Sequence, residues 1–176
     1  MIAKTRKSFA CYLLIFLHVF LGIGAIFGGS LLMFSPDGSI LSMPLEMLEN
    51  SPFNNFFIPG LILFVGLGIL PIITAIYLIS EKSLKIAEKL SLYKETHWSW
   101  NISLYIGFIL IIWIIIQLYI IQGVAFIHVF YIFLGIAIQS ITLLPTVKAH
   151  YTNNWPFKFN WLKGVLREQL ATCSFF

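Results

Sequence analysis

Four stretches of this chain are apolar almost without interruption, at about residues 9–33, 57–80, 98–122 and 124–146. Roughly 20 such residues, wound as a helix, cross the hydrocarbon core of a bilayer. A helix also satisfies its own backbone polar groups where no water can do so. Each stretch therefore predicts one transmembrane helix. The polar positions are just as ordered. Of the 11 Lys and Arg residues, Lys4, Arg6 and Lys7 precede the first span. Lys82, Lys85, Lys89 and Lys94 lie between the second and third, and Lys148, Lys158, Lys163 and Arg167 follow the fourth. The other two connections carry none. Basic residues gather in cytoplasmic loops. The pattern predicts an all-α, four-transmembrane-helix antiparallel bundle with both termini in the cytoplasm. The whole chain, 1–176, reads as a single transmembrane domain with a cytoplasmic tail at 147–176.

The basic start followed by an apolar run resembles a signal peptide. Its apolar core runs about 24 residues, whereas a signal peptide carries roughly 7–15, so the first span is expected to stay as a helix. The first outer connection, 35–56, opens on the turn signal Ser35-Pro36-Asp37-Gly38. Pro44 to Glu49 predicts a short helix with Leu45 and Leu48 on the bilayer surface. Ser51-Pro52 reads as an N-cap and first helical position, which would start the second helix at Pro52. That helix contains Pro59 and Pro71, each of which lacks a donor and favours a kink. A turn around Gly123 joins the third and fourth spans as a helical hairpin, and Pro145 closes the fourth. In the tail, Trp155, Phe157, Phe159 and Trp161 interleave with Lys158 and Lys163, a headgroup-level mixture. Trp161 to Leu170 predicts an amphipathic helix lying on the inner leaflet.

Composition narrows the class. The chain is 59% hydrophobic and 10% charged, against about 25% charged in soluble domains, which leaves no room for a separate soluble domain. The net charge of +4 sits at the span flanks, where anionic lipid headgroups answer it. No nucleic-acid motif accompanies it, so membrane lipids are the expected partners. The two cysteines, Cys11 and Cys173, fall at the cytoplasmic face, where a structural disulfide is not expected.

The candidate chemistry lies inside the spans. On the fourth, His128, Tyr131, Gly135, Gln139 and Thr142 fall within roughly 80° of arc at the helical period. On the first, Cys11, His18, Gly22, Ala25 and Gly29 fall within roughly 60°. Polar and small residues avoid lipid, so both stripes are expected to look inward, toward each other. The third span offers Ser103, Gly107, Trp113 and Gln117. The second offers Gly60, Pro71 and Thr74. Depth at 1.5 Å per residue sorts these groups into two layers. His18, Thr74, Tyr105 and Gln139 lie roughly 10 Å from the cytoplasmic end of their spans. Gln117, His128 and Tyr131 lie in the outer third.

In the outer layer, His128 is a candidate base or proton carrier, with Gln117 and Tyr131 orienting a ligand's polar group. Asp37, Glu46 or Glu49 would steer a cation or hold His128 protonated. The competing reading is an interfacial histidine in contact with water. His18, deeper, needs a hydrogen-bond partner, with Gln139 and Thr74 as candidates. It is either a satisfied structural group or a ligand contact. The two histidines fall in opposite halves of the bilayer and cannot share one ion. No metal-ligand spacing, phosphate loop or nucleophile elbow is present, so no metal or other cofactor is expected. No Asp, Glu, Lys or Arg lies within a span, which argues against ion pumping by one protomer. Gly24 and Gly28 form a GxxxG pair turned away from the His18 stripe, a candidate contact with a second copy of the chain.

Met33 to Gly38 reads M-F-S-P-D-G. Met43-Pro44, then Ser51-Pro52-Phe53, then Phe57-Ile58-Pro59-Gly60 follow. Trp113 to Gln117 and His128, Tyr131 and Gly135 complete the set. Together these resemble a group of small bacterial four-helix integral membrane proteins. That group carries D-P-S-G at the turn, so the acidic residue here is displaced by two positions. The resemblance covers much of 22–139. It implies the fold and a bacterial inner-membrane location, and it implies no activity.

These features point to a non-catalytic membrane protein. It would hold a small or lipidic ligand, or a partner subunit, in an intrabundle seam open to the extracytoplasmic side. The ligand contacts expected are His18, Thr74, Trp113, Gln117, His128, Tyr131 and Gln139. One alternative is an intramembrane enzyme acting on a lipid or isoprenoid, with His128 or His18 as the acid-base group. The other is an oligomeric channel or facilitator lined by the two stripes.

Overall fold

A computed structural model of the chain describes residues 6–89, 91–93 and 95–153. Among them the regular structure is all helical. Four helices are long and apolar enough to cross a membrane: α1 (Phe9–Phe34), α2 (Phe57–Ser80), α3 (Trp98–Ile121) and α4 (Phe126–Leu143). A fifth, α5 (Pro145–Asn153), follows directly. The amphipathic helix expected at Trp161 to Leu170 lies outside the described residues.

Two close backbone approaches build the bundle as a pair of hairpins. A Cβ on Gly29 would stand 2.8 Å from the Gly60 carbonyl oxygen and 2.8 Å from the Phe64 amide nitrogen. Only glycine lets α1 and α2 come that near. Further along, Gly22 of α1 meets Ile72 of α2, so the two helices run in opposite directions. In the second hairpin, Gly107 of α3 lies against Gly135 and Gln139 of α4. Ser103 meets Thr142 one turn further on, Oγ to Oγ1 at 3.0 Å, so this pair is antiparallel as well.

The hairpins join mainly through the last part of α2 against α3, and α1 against α4. The joint lies toward the end that carries Lys7, Lys82 and Lys148, called here the basic end. The opposite end, formed by the 35–56 connection and the turn at Gly123, is the loop end. Leu14, Leu78, Ile106 and Ile138 are sealed at the joint, all 0% exposed. A second apolar cluster, Leu32, Leu48 and Phe56, closes the loop end with Met43, Met47 and Ile120 against it. Outward, phenylalanine and isoleucine dominate the exposed side chains, as Phe27, Ile58, Ile112 and Phe133 do. That is the surface a hydrocarbon solvent favours.

Several local expectations are corrected. The second helix starts at Phe57, where the Asn55 carboxamide oxygen accepts the Phe57 N–H at 3.1 Å. Ser51 instead folds back, its hydroxyl donating to the Leu48 carbonyl at 2.8 Å. The outer-loop helix is a single 3-10 turn, Leu45–Leu48. Its Leu48 is buried against Leu32 and Phe56 while Leu45 stays exposed, so only one of the two leucines faces outward. α2 widens to a π-helical stretch at Leu63–Ile69, just before Pro71. Proline clashes with the carbonyl four residues back in an ordinary helix, and the five-residue register absorbs that conflict. The fourth helix ends at Leu143 rather than near residue 146, and Pro145 opens α5 rather than closing α4. α5 is no solvated tail. Val147 is 0% exposed and Tyr151 is 1% exposed, both within the main core.

Candidate functional site

The stripe residues are all turned inward, but to different neighbours than expected. Cys11, His18, Gly22, Ala25 and Gly29 of α1 are buried. Gly22 and Gly29 face α2, and Gly135 and Gln139 face Gly107 of α3. The two stripes therefore do not face one another along their length. Gly22, Gly29 and Gly135 each sit where their helix comes close to its hairpin partner.

At the inner depth, His18 is 0% exposed. Its Nδ1 lies 2.9 Å from the Leu14 carbonyl oxygen of its own helix, so Nδ1 carries the proton. Nε2 then holds a lone pair, and no described residue donates to it. Thr74 donates to Leu70 O at 2.8 Å, and the Gln139 carboxamide nitrogen is buried without an acceptor. His18, Thr74 and Gln139 thus share a depth and no hydrogen bond.

The loop end is different. A cavity of about 460 Å³ lies among all four spanning helices. Leu21 and Ala25 of α1, Leu63 and Leu67 of α2, and Leu110 and Ile114 of α3 give it apolar walls. Met43 and Met47 of the 35–56 connection reach it from the loop side. Four uncharged polar side chains line it: Trp113, Gln117, His128 and Tyr131. Four of the seven expected ligand contacts meet in this one space, while His18, Thr74 and Gln139 stand outside it.

His128 shows how the sequence sets the local chemistry. α4 begins at Phe126 with Ala125 as its N-cap, and alanine has no side chain to cap a helix. The imidazole supplies a cap in reverse, with the Ala125 N–H donating to His128 Nδ1 at 3.1 Å. A backbone N–H can only donate, so Nδ1 is the acceptor and the proton of the neutral ring sits on Nε2. The ring therefore presents an N–H, not a lone pair, to its surroundings. Trp113 Nε1–H is buried with no acceptor among the described residues. The Tyr131 hydroxyl stands where a Cβ on Gly24 would come within 3.0 Å of it. Gly24 thus abuts α4 of its own chain, and Gly28 lies nearest Leu63. The acidic residues of the connection do not line the cavity. Asp37 is instead turned into its own loop, taking bonds from Ser35 Oγ at 2.5 Å and Ser39 Oγ at 3.0 Å. Those hydroxyls, Ser35 first, hold its carboxyl below the usual carboxylate range.

The densest polar assembly is at the basic end, and sequence reading missed it. α2 is capped by Glu81, whose backbone is left-handed at φ 53°. Its last carbonyls, like those of any helix, need outside donors. Leu78 O accepts from Lys7 Nζ at 2.7 Å and from the Tyr151 hydroxyl at 3.0 Å. Lys82 O accepts from His97 Nε2 at 3.1 Å and Trp98 Nε1 at 3.2 Å. The Glu81 carboxylate pairs with Lys7 and lies 3.1 Å from His150 Nε2. Burial, with the Cys11 thiol and Glu81 adding to it, pushes the Tyr151 phenol up, which keeps it a donor. The signal available was an ionisable residue at the end of each apolar run: Lys7, Glu81, His97 and His150. Trp100 Nε1 donates to Thr142 O at 2.8 Å and fastens α3 to α4 in the same region.

Among the described residues, no three His, Cys, Asp or Glu side chains gather as metal ligands. Comparisons of the chain with protein families, with curated proteins and with solved structures found no match.

Proposed function

We propose that this chain is a non-catalytic multi-pass protein of the bacterial inner membrane that holds a small or lipidic molecule in the loop-end cavity. The basic end is cytoplasmic by the distribution of Lys and Arg, so the cavity lies in the extracytoplasmic half. The observation that carries the reading is the space of about 460 Å³ with apolar walls and four polar residues in its lining. Sites for small molecules have this size and this mixture.

Two features favour binding over the other readings. A channel needs a continuous wet path, and Leu14, Ile106 and Ile138 fill the basic half. A general base needs a lone pair aimed at substrate, and His128 spends that lone pair on the α4 cap. The test is to purify the protein from its membrane and identify by mass spectrometry the apolar molecules that stay with it through detergent exchange. Ala25→Leu places extra carbon in the cavity wall and is expected to lower the retained amount about tenfold with the fold intact. Equal retention of the same molecules by both proteins would rule the cavity out as their site.

A further inference from the structure

One side of α4 changes its burial along its length. Ile127, Leu134 and Ile138 fall within roughly 40° of arc at the helical period. Ile138 is 0% and Leu134 7% exposed, whereas Ile127 is 57% exposed. This side of α4 looks toward α1. The Phe130 ring meets Phe20 edge-on, 6.1 Å between centroids, and the Tyr131 hydroxyl abuts Gly24. One turn nearer the loop end the contact is lost. A Cβ on Gly28 would find only a Leu63 methyl within 4 Å, at 3.7 Å, and no atom of α4. The two helices therefore part beyond Tyr131, and Ile127, at the gap, is also a lining residue of the cavity. Gly28 lies six residues inside the end of α1 at Phe34, about 9 Å at the helical rise. Ile23 and Phe27 of α1 and Phe126 of α4, close to the gap in sequence, are exposed and apolar.

We infer that an acyl chain of a bilayer lipid enters the cavity sideways, through this gap between α1 and α4, while its head group stays outside at the level of the α3–α4 turn. This rests on the binding reading above and adds the ligand and its route. In a bilayer the gap opens among apolar side chains at hydrocarbon depth, so lipid chains are what lie against it. No Asp, Glu, Lys or Arg is among the residues that line the cavity. A charged head drawn inside would lose its water without a counter-charge, whereas a chain loses nothing of the kind. Lipid tails are as apolar as leucine, so moving from bilayer to cavity brings no hydrophobic gain. The chain is favoured because it gives Leu21, Ala25, Leu67 and Leu110 the packing neighbours that an empty space denies them.

The experiment uses the full-length protein in phosphatidylethanolamine–phosphatidylglycerol vesicles. These are doped with a phosphatidylcholine that carries a diazirine near the end of one acyl chain. After irradiation, peptide mass spectrometry locates the side chains that have taken the label. Leu67 and Leu110 are 2% and 1% exposed, so label there requires a chain inside the cavity. Phe108 and Ile112 on the exposed side of α3 report ordinary contact with the bilayer. The lipid is expected to label all four. Gly28→Leu fills the gap and is expected to lower the label at Leu67 and Leu110 about tenfold, as crowding by a few methylene groups does, with Phe108 and Ile112 unchanged. A small free probe, trifluoromethylphenyl diazirine, is run in parallel. If it reaches Leu67 and Leu110 while the lipid marks only Phe108 and Ile112, the cavity takes small molecules and the acyl-chain inference is wrong. If neither probe reaches them, the binding reading fails as well. If the lipid labels them equally in wild type and Gly28→Leu, the route between α1 and α4 is wrong. Ile127→Trp narrows the same gap from α4 and tests the route should Gly28→Leu not fold, and the wild-type label alone decides the occupant.

Discussion

Two histidines cap two helices at opposite ends of this bundle, and their surroundings differ. His97 is the N-cap of α3, and its Nδ1 accepts from the Ser99 N–H at 3.2 Å. Its Nε2–H is taken up by the Lys82 carbonyl. His128 caps α4 in reverse, its Nδ1 taking the Ala125 N–H, and its ring is among the groups that line the loop-end cavity. Tryptophans repeat the contrast. Trp98 and Trp100 donate to Lys82 O and Thr142 O at the basic end, whereas Trp113 at the loop end donates to no described residue. The basic half matches its tryptophan and cap-histidine donors to carbonyls and packs its core tightly, though the Gln139 carboxamide nitrogen there has no acceptor among the described residues. The other leaves the Trp113 indole N–H unmatched and encloses a cavity. Polar ties are thus concentrated at the basic end, and under the proposed function recognition falls to the loop end.

The largest expected difference between the halves is at Glu81. Its carboxylate holds Lys7 from the first residues of the described chain and His150 from α5. Both pairs are shielded, with 11% of the Glu81 side chain exposed. Removing one partner strands the other charge, which costs about 3 kcal/mol when a pair is buried. Glu81→Ala is therefore expected to lower unfolding stability in micelles by about that amount, measured by steric trapping or denaturant titration. Gln117→Ala, which breaks no bond to a described residue, is expected to cost less than about 1 kcal/mol. Equal losses would erase the division into a stable half and a binding half.

A smaller effect separates the tryptophans. Trp100→Phe removes the bond to Thr142 O and leaves that carbonyl without its donor, at about 2 kcal/mol. Trp113→Phe deletes a donor that is already unmatched, so its cost in stability is expected to stay below about 1 kcal/mol. A thermal unfolding series of the two variants checks the order. A Trp113 variant as damaged as the Trp100 variant would mean that the indole N–H is bound in the resting protein.

Sequence alone was enough for the four spans, because apolar runs of spanning length admit few alternatives in a membrane. The inward faces of α1 and α4 were legible for a similar reason. His18, Gly22 and Gly29, and His128 and Thr142, repeat at the helical period and leave only greasy residues for the lipid side. Depth arithmetic also grouped Gln117, His128 and Tyr131, which the structure brings to one cavity. What periodicity does not carry is the partner of each face. Gly29 turns to Gly60 rather than to α4 because approach distance, not polarity, decides which small residues meet. Nor does it carry long-range polar pairing. Lys7, Glu81 and His150 come from three separate flanks, and only closing the bundle unites them. The cap at His128 was hidden too, since an alanine N-cap gives no signal and its substitute comes from three residues onward.

The finest test of the contrast is the pH dependence of the basic end. Burial, partly offset by the Lys82 carbonyl, pushes the His97 imidazole below its ordinary value of 6.5. The folded protein then binds the proton less readily than the unfolded chain does. Stability from this group is complete above about pH 6.5 and falls as the pH drops below it toward the lowered folded value. The lone pair at Nδ1 is what a proton would occupy, so protonation competes directly with the α3 cap at Ser99. His97→Asn keeps a capping oxygen for that N–H and removes the titration. Unfolding midpoints followed from pH 7.5 to 5 are expected to fall more steeply for the wild type than for His97→Asn. Parallel curves would mean that the imidazole is not a guarded structural cap, and the tie between His97 and the packed half would have to be given up.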